Sequence, residues 1–187
     1  MSEVFCRGND VYLRAVEPGD ASLIAEWKKD PLVQRMALDP HVEISVEKEK
    51  EDIKRTKESS DQLYLVLVVR STNQPIGYVR INWMDASRRF AWLRFALGEH
   101  RGKGYAKDGL KHLLRQLFAA GVHRAEAEAY EFNQTSLRLL ESLGFKKEGV
   151  KREAHFDGDG YHNIVVLGLL AEEFRTSDLC NSEMTGA

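Results

Sequence analysis

Residues 99–114 read EHRGKGYAKDGLKHLL, with two glycines set directly ahead of an amphipathic run. No other stretch narrows the fold as much. Leu110, Leu113, Leu114, Leu117 and Phe118 fall at i, i+3, i+4, i+7 and i+8, a single apolar stripe along a helix. Gly121 suits the end of that helix, where a left-handed residue is cheapest. The segment before the glycines, FAWLRFALG (residues 90–98), reads as a strand, and residues 123–132 read as another. Strand, glycine loop, helix and strand in that order make an α/β unit. Glycines before a helix let a ligand approach the free N–H groups there, or else serve only a tight turn.

Two familiar phosphate-binding patterns do not fit. A Walker loop needs GxxxxGK followed by Ser or Thr, and here Gly102-Lys103 is followed by Gly104. A Rossmann fingerprint needs a third glycine where Lys107 stands, and the next strand, RAEAEAYEF, lacks a clear ribose-binding acid at its end. What remains is Arg101-Gly102-Lys103-Gly104-Tyr105-Ala106, an R-x-x-G-x-A loop between strand and helix.

The rest of the chain builds a mixed sheet around this unit. VYLRAV (residues 11–16) reads as a first strand, and Asp20 as the N-cap of a helix carrying Leu23, Ile24 and Trp27 inward. Residues 45–57 form a second helix, highly charged, with Val46 and Ile53 facing in and the charges read as a solvated face. LYLVLVVR (residues 63–70) and PIGYVRINW (residues 75–83) make a hairpin across STNQ. A short helix over 136–143 ends at Gly144, and strands over 150–156 and 161–170 flank an Asp-Gly-Asp-Gly turn. The order is β-α-α-β-β-β-α-β-α-β-β. One domain over residues 1–174 is expected, with a flexible polar tail over 175–187.

With 27 basic and 29 acidic residues the net charge is −2, which offers no broad electrostatic grip on nucleic acid. Any anionic ligand needs a local site. Cys6 and Cys180 stand near opposite ends without a CxxC, so neither a disulfide framework nor a zinc site is expected. The first ten residues lack a signal-peptide apolar region, and the longest apolar run, residues 63–69, is too short to span a bilayer. A cytoplasmic protein without membrane contact is the default expectation.

About thirty residues past the loop comes NQTSLRLLESLGFKKEG, residues 133–149. An R-x-x-G-x-A loop followed by N-x-x-S…LGF-x-x-EG resembles the GNAT superfamily of acyl-CoA-dependent N-acetyltransferases. In detail it resembles the branch of ribosomal-protein N-terminal acetyltransferases, which also holds polyamine acetyltransferases. The resemblance runs over most of the chain and implies the acyl-CoA N-acyltransferase fold, a central, mostly antiparallel sheet with flanking helices. It implies acetyl-CoA as cosubstrate and a primary amine as acceptor: a protein N-terminus, a polyamine, an amino acid or an antibiotic amine. A non-catalytic acyl-CoA sensor is the alternative.

The same resemblance assigns roles. Backbone groups of Phe95, Ala96 and Leu97 would pair with the pantetheine arm, and N–H groups from Arg101 through Gly102, Lys103, Gly104, Tyr105 and Ala106 would hold the pyrophosphate. Lys103 adds charge or is simply solvated. Asn133 would reach the pantetheine amides, and it also suits an N-cap. Many superfamily members carry a proton-donating tyrosine where this chain has Leu140; in the resembling branch the serine of N-x-x-S takes that role, which points to Ser136. The branch's general-base position falls on His155, with Glu153 two residues before it on the same face if the strand is regular; water can also carry the proton. His155, Asp157, Asp159 and His162 lack the third acid and the twelfth-position glutamate of an EF-hand, and the turn explains them without a metal. Glu126 and Glu128 share a strand face and either attract a cationic amine or pair with basic neighbours, for instance from the charged helix. Phe90, Trp83 and Trp92 belong to the core or to the acceptor-groove wall. Oligomeric state stays open, with a homodimer through the late strands as one expectation.

Overall fold

The computed structural model describes residues 3–37 and 43–177. In chain order the strands are β1 (Val4–Arg7), β2 (Val11–Ala15), β3 (Gln62–Val69), β4 (Pro75–Trp83), β5 (Phe90–Leu97), β6 (Arg124–Tyr130), β7 (Lys146–Phe156) and β8 (Tyr161–Leu170). The helices are α1 (Ala21–Lys29), α2 (Pro31–Ala37), α3 (Val46–Glu58), α4 (Tyr105–Ala119), α5 (Gln134–Ser142) and α6 (Ala171–Thr176). The strands form a single sheet in the order β1-β2-β3-β4-β5-β6-β8-β7. Every neighbouring pair is antiparallel except β5 and β6, which run parallel because α4 carries the chain back between them.

Both faces of the sheet are covered, so β3 reads as an unbroken apolar run rather than an alternation. Leu65 and Leu67 join the larger core with the α4 stripe, where Leu110, Leu113, Leu114, Leu117 and Phe118 are all buried. Tyr64, Val66 and Val68 turn to the other face, against Ile24 and Trp27 of α1 and Ile53 of α3. At about 25 cal/mol per Å² of apolar area removed from water, these two layers supply the main drive to fold.

The mixed α/β architecture expected from sequence is the one observed. Sequence patterning missed β1, α2 and α6, which are short. The last helix ends at Thr176, two residues beyond the expected domain limit, and residues 178–187 of the expected tail lie outside the described residues.

Three local readings change. Asp20 holds the N-cap position of α1 as expected, but its side chain makes no cap bond to that helix, and a 3-10 turn, Pro18–Asp20, precedes it. The Asp20 carboxylate instead accepts from Glu17 N–H at 2.8 Å and pairs with both Arg14 Nη atoms at 2.7 Å. The charged helix α3 is not merely solvated: Glu49 is buried, accepting from Tyr64 Oη at 2.7 Å and Lys28 Nζ at 2.6 Å. Finally, β7 is irregular between Lys151 and His155, and Glu153 has a positive φ of 50°. That bulge breaks the period of two, so Glu153 and His155 do not share a regular strand face.

Candidate active site

The parallel pairing of β5 with β6 runs only from Phe90↔Arg124 to Leu93↔Ala127. Beyond that point each strand stays with its outer neighbour, β5 with β4 as far as Gly77↔Leu97 and β6 with β8 as far as Tyr130↔Ile164. The two strands therefore part, and a cleft of about 850 Å³ opens between them. Arg94 to Leu97 form one wall; Glu128, Ala129 and Tyr130 form the other. The start of α4 and the start of α5 close one side, while Leu32, Val33 and Met36 of α2 line another.

The splay leaves β5 with unused backbone groups. Gly98 N–H donates to Ile76 O on β4 at 2.9 Å, so alternation turns the polar groups of Phe95 and Leu97 toward the cleft. Arg101 Nε–H reaches back to Leu97 O at 3.0 Å, and Arg101 Nη2 bonds Asp30 at 2.7 Å. The Arg101 guanidinium holds the Asp30 carboxyl below the usual carboxylate range.

The glycine loop is shaped for close approach. Gly102 and Gly104 have φ of 80° and 82°, the left-handed region, and a Cβ built on either would meet open space. The N–H groups of Tyr105, Ala106 and Lys107 lie in the first turn of α4, ahead of its first intrahelical bond, Asp108 N–H to Gly104 O at 3.0 Å. Free N–H groups at a helix start, with the positive end of its dipole, suit an anionic pyrophosphate. The side chains around the loop anchor it. Trp27 is buried against Gly98, where a Cβ would lie 2.1 Å from the indole ring. Asp108 in the first turn of α4 accepts from the N–H groups of Asn9, Asp10 and Val11 at 2.8–3.1 Å, tying the helix to the β1–β2 turn.

At the second helix start, Asn133 is 7% exposed and caps α5, its Oδ1 accepting from Ser136 N–H at 3.1 Å. Its Nδ2 donates to Met36 O at 3.1 Å, which joins α2 to α5 across the cleft. Asn133 therefore serves as cap and tie, with both ends of its amide engaged. Because Asn133 does the capping, the Ser136 hydroxyl is left to the cleft that Ser136 lines.

Of the residues singled out from sequence, Phe95, Ala96, Leu97, Arg101, Gly102, Gly104, Ala106, Asn133 and Ser136 all line this one cleft. Lys103 and Tyr105 do not. Lys103 is exposed, its Nζ 3.3 Å from His100 Nδ1, and Tyr105 packs on the core beside the His100 ring. Glu153 is exposed on its bulge. His155 stacks on Tyr130, a residue of the cleft wall, with ring centroids 4.0 Å apart, and does not itself line the cleft. Glu126 and Glu128 are both paired, with Arg124 and with Lys151, rather than with the charged helix. Asp157 bonds His162 at 2.8 Å and the N–H groups of Asp159 and Gly160 at 3.0 Å, which accounts for the turn. Sequence reasoning missed Lys107, and it left Trp92 undecided and Arg94 unread. Counting by twos from Ala96 along β5 would have put all three β5 residues on one face.

A family model described as an acetyltransferase (GNAT) domain matches residues 10–146. The chain belongs to the GNAT acetyltransferase family. A prophage-derived, uncharacterized N-acetyltransferase, YokL of Bacillus subtilis, is 28% identical over 178 residues, spanning 93% of this chain and 97% of that protein. Spermidine N-acetyltransferase from Vibrio cholerae, solved with CoA and spermine, superposes with a TM-score of 0.80 at 21% identity, over 88% of this chain and 98% of that one. RimL, a ribosomal L7/L12 alpha-N-protein acetyltransferase solved with coenzyme A, gives 0.80 at 16% identity, over 90% and 98%. These likenesses confirm the fold of the acetyltransferase and the family read from its paired motifs. Among its described residues, no helix is long and apolar enough to cross a membrane.

Proposed function

We propose that this acetyltransferase moves an acetyl group from acetyl-CoA to a primary amine by direct attack, with both substrates bound together in the splayed cleft. The observation that carries the reading is the junction of three features in one space. These are the backbone edge of β5 beyond its pairing with β6, the N–H groups of the first turn of α4, and the Ser136 hydroxyl, which bonds no protein group among the described residues. Acetyl-CoA supplies an activated thioester and a thiol leaving group.

The chain does the rest by positioning and by charge. The polar edge at Phe95 and Leu97 accepts and donates like a neighbouring strand, aligning an extended amide arm; Arg101 holds Leu97 O and would yield it to that arm. An N–H from this edge polarises the thioester carbonyl as it gains negative charge. The N–H groups from Arg101 to Lys107 hold the phosphates, with Lys107 lining the same space. Ser136 Oγ–H gives a proton to the departing sulfur. We assign removal of the amine's proton to water in the open cleft, since neither Glu153 nor His155 lines it. The acceptors named for the spermidine enzyme and RimL, a polyamine and a protein N-terminus, support an amine acceptor here.

The test is thiol release from acetyl-CoA, read with a colour reagent across polyamines, amino acids, aminoglycosides and short peptides. Release that depends on one amine class supports transfer. Tight CoA binding without release for any amine refutes it and favours a sensor.

A further inference from the structure

Trp92, Arg94 and Ala96 share the face of β5 that looks toward α1 and α3, since Arg94 stands opposite Arg80 and Ala96 opposite Tyr78 of the inner cluster. Glu126 and Glu128 share that face through the pairing Trp92↔Glu126. The glycine loop lies at the start of α4, which packs on the opposite face. Trp92, Arg94 and Glu128 thus line the part of the cleft left for the second substrate.

The charges there are unequal. Glu128 is neutralised by Lys151. Arg94 has no carboxylate partner among the described residues. Its guanidinium lies over the Trp92 ring at 4.7 Å from the centroid, and Nη2 donates to Asn82 Oδ1 at 2.8 Å. Stacking and this one bond fix the plane of the fork, while its other N–H groups have no protein acceptor among the described residues. Asp52 on α3 makes its ion pairs with Arg80 at 2.6 Å and Arg55 at 2.5 Å, and acts on Arg94 only through space. The Arg94 side chain is exposed to the cleft, and Arg80, its cross-strand neighbour, adds positive charge that a bound anion would offset.

We infer that the amine acceptor carries a carboxylate, and that Arg94 is the residue that holds it. This rests on the cleft being the acetyl-transfer site. A fixed guanidinium with free N–H groups matches a carboxylate in two parallel bonds, whereas a polyamine meets only repulsion from it. The carboxylate belongs either to a free amino acid or to an acidic side chain at a peptide N-terminus. Both present the same chemistry.

The experiment measures kcat/KM for thiol release with matched pairs: alanine against alaninamide, an Asp-initial against an Asn-initial tetrapeptide amide, and spermidine alone. The wild-type enzyme favours the carboxylate member of one pair by roughly 10- to 100-fold, the worth of a charge-assisted contact, and that pair names the source. In Arg94→Gln the ratio falls to near one, and Arg94→Lys keeps part of it; unchanged CoA affinity shows that both variants are folded. A ratio near one in both wild-type pairs, a ratio that Arg94→Gln leaves intact, or spermidine as the best acceptor overturns the inference. Failure of all amines with CoA still bound refutes acetyl transfer itself.

Discussion

Gly104 sets stability against cofactor affinity in a way that can be separated. Its φ of 82° is left-handed, and a Cβ there would touch nothing within 4 Å. Gly104→Leu therefore costs the folded protein only the backbone strain, about 1–2 kcal/mol, with no clash to add. For a chain of 187 residues that lowers Tm by about 2–8 °C. Gly121 provides a matched control at the other end of α4, with φ of 98° and open space around it. Gly121→Leu costs a similar amount.

The two variants part in CoA binding. A leucine at 104 stands in front of the free N–H groups that would receive the pyrophosphate. Losing two charge-assisted hydrogen bonds at about 1.5–3 kcal/mol each weakens CoA by at least about 100-fold. Gly121→Leu leaves CoA affinity within about twofold, since nothing at that end touches the cleft. Thermal melts and calorimetric titration with CoA measure both quantities on the same samples. Equal CoA affinities in the two variants would refute the assignment of the loop.

Ser136→Ala lowers kcat by about 100-fold, the low end for a lost general acid, with unchanged CoA affinity and Tm because Asn133 does the capping; full turnover would return Ser136 to the wall of the cleft. Asn133→Ala removes both the cap and the Met36 tie and costs about 1–3 kcal/mol in a urea melt. Gly98→Ala drives a Cβ into Trp27, an overpacking worth about 1–3 kcal/mol, read in the same melt. Burial raises the Asp52 carboxyl, but the Arg80 bond and charge outweigh it, so its folded pKa lies below the ordinary value. The stability it adds is present above that ordinary value, near pH 4, and is lost as the pH falls through the folded one. Urea midpoints between pH 7 and pH 3 accordingly fall less in Asp52→Asn than in the wild type.

The sequence alone determined the long regular elements and the identity of the motif. The stripe from Leu110 to Phe118, the β3–β4 hairpin and the glycine loop were legible because periodicity and backbone freedom are local properties. So was the cap at Asn133, whose residue type and place before the helix suit it. Short elements such as α2 carried too few residues to show a period, and α3 looked solvated because Glu49 finds its partners, Tyr64 and Lys28, far along the chain. The bulge at Glu153 was invisible for the same reason: two extra residues in β7 are defined only against the register of β8. Tertiary structure decided the site. The cleft exists because β5 and β6 stop pairing after Leu93↔Ala127, each held by its other neighbour, and no single segment encodes that parting. It also decided which charges are free. Glu128 meets Lys151 across strands while Arg94 meets only a tryptophan face and an amide, and pairing between distant residues is a property of the assembled sheet.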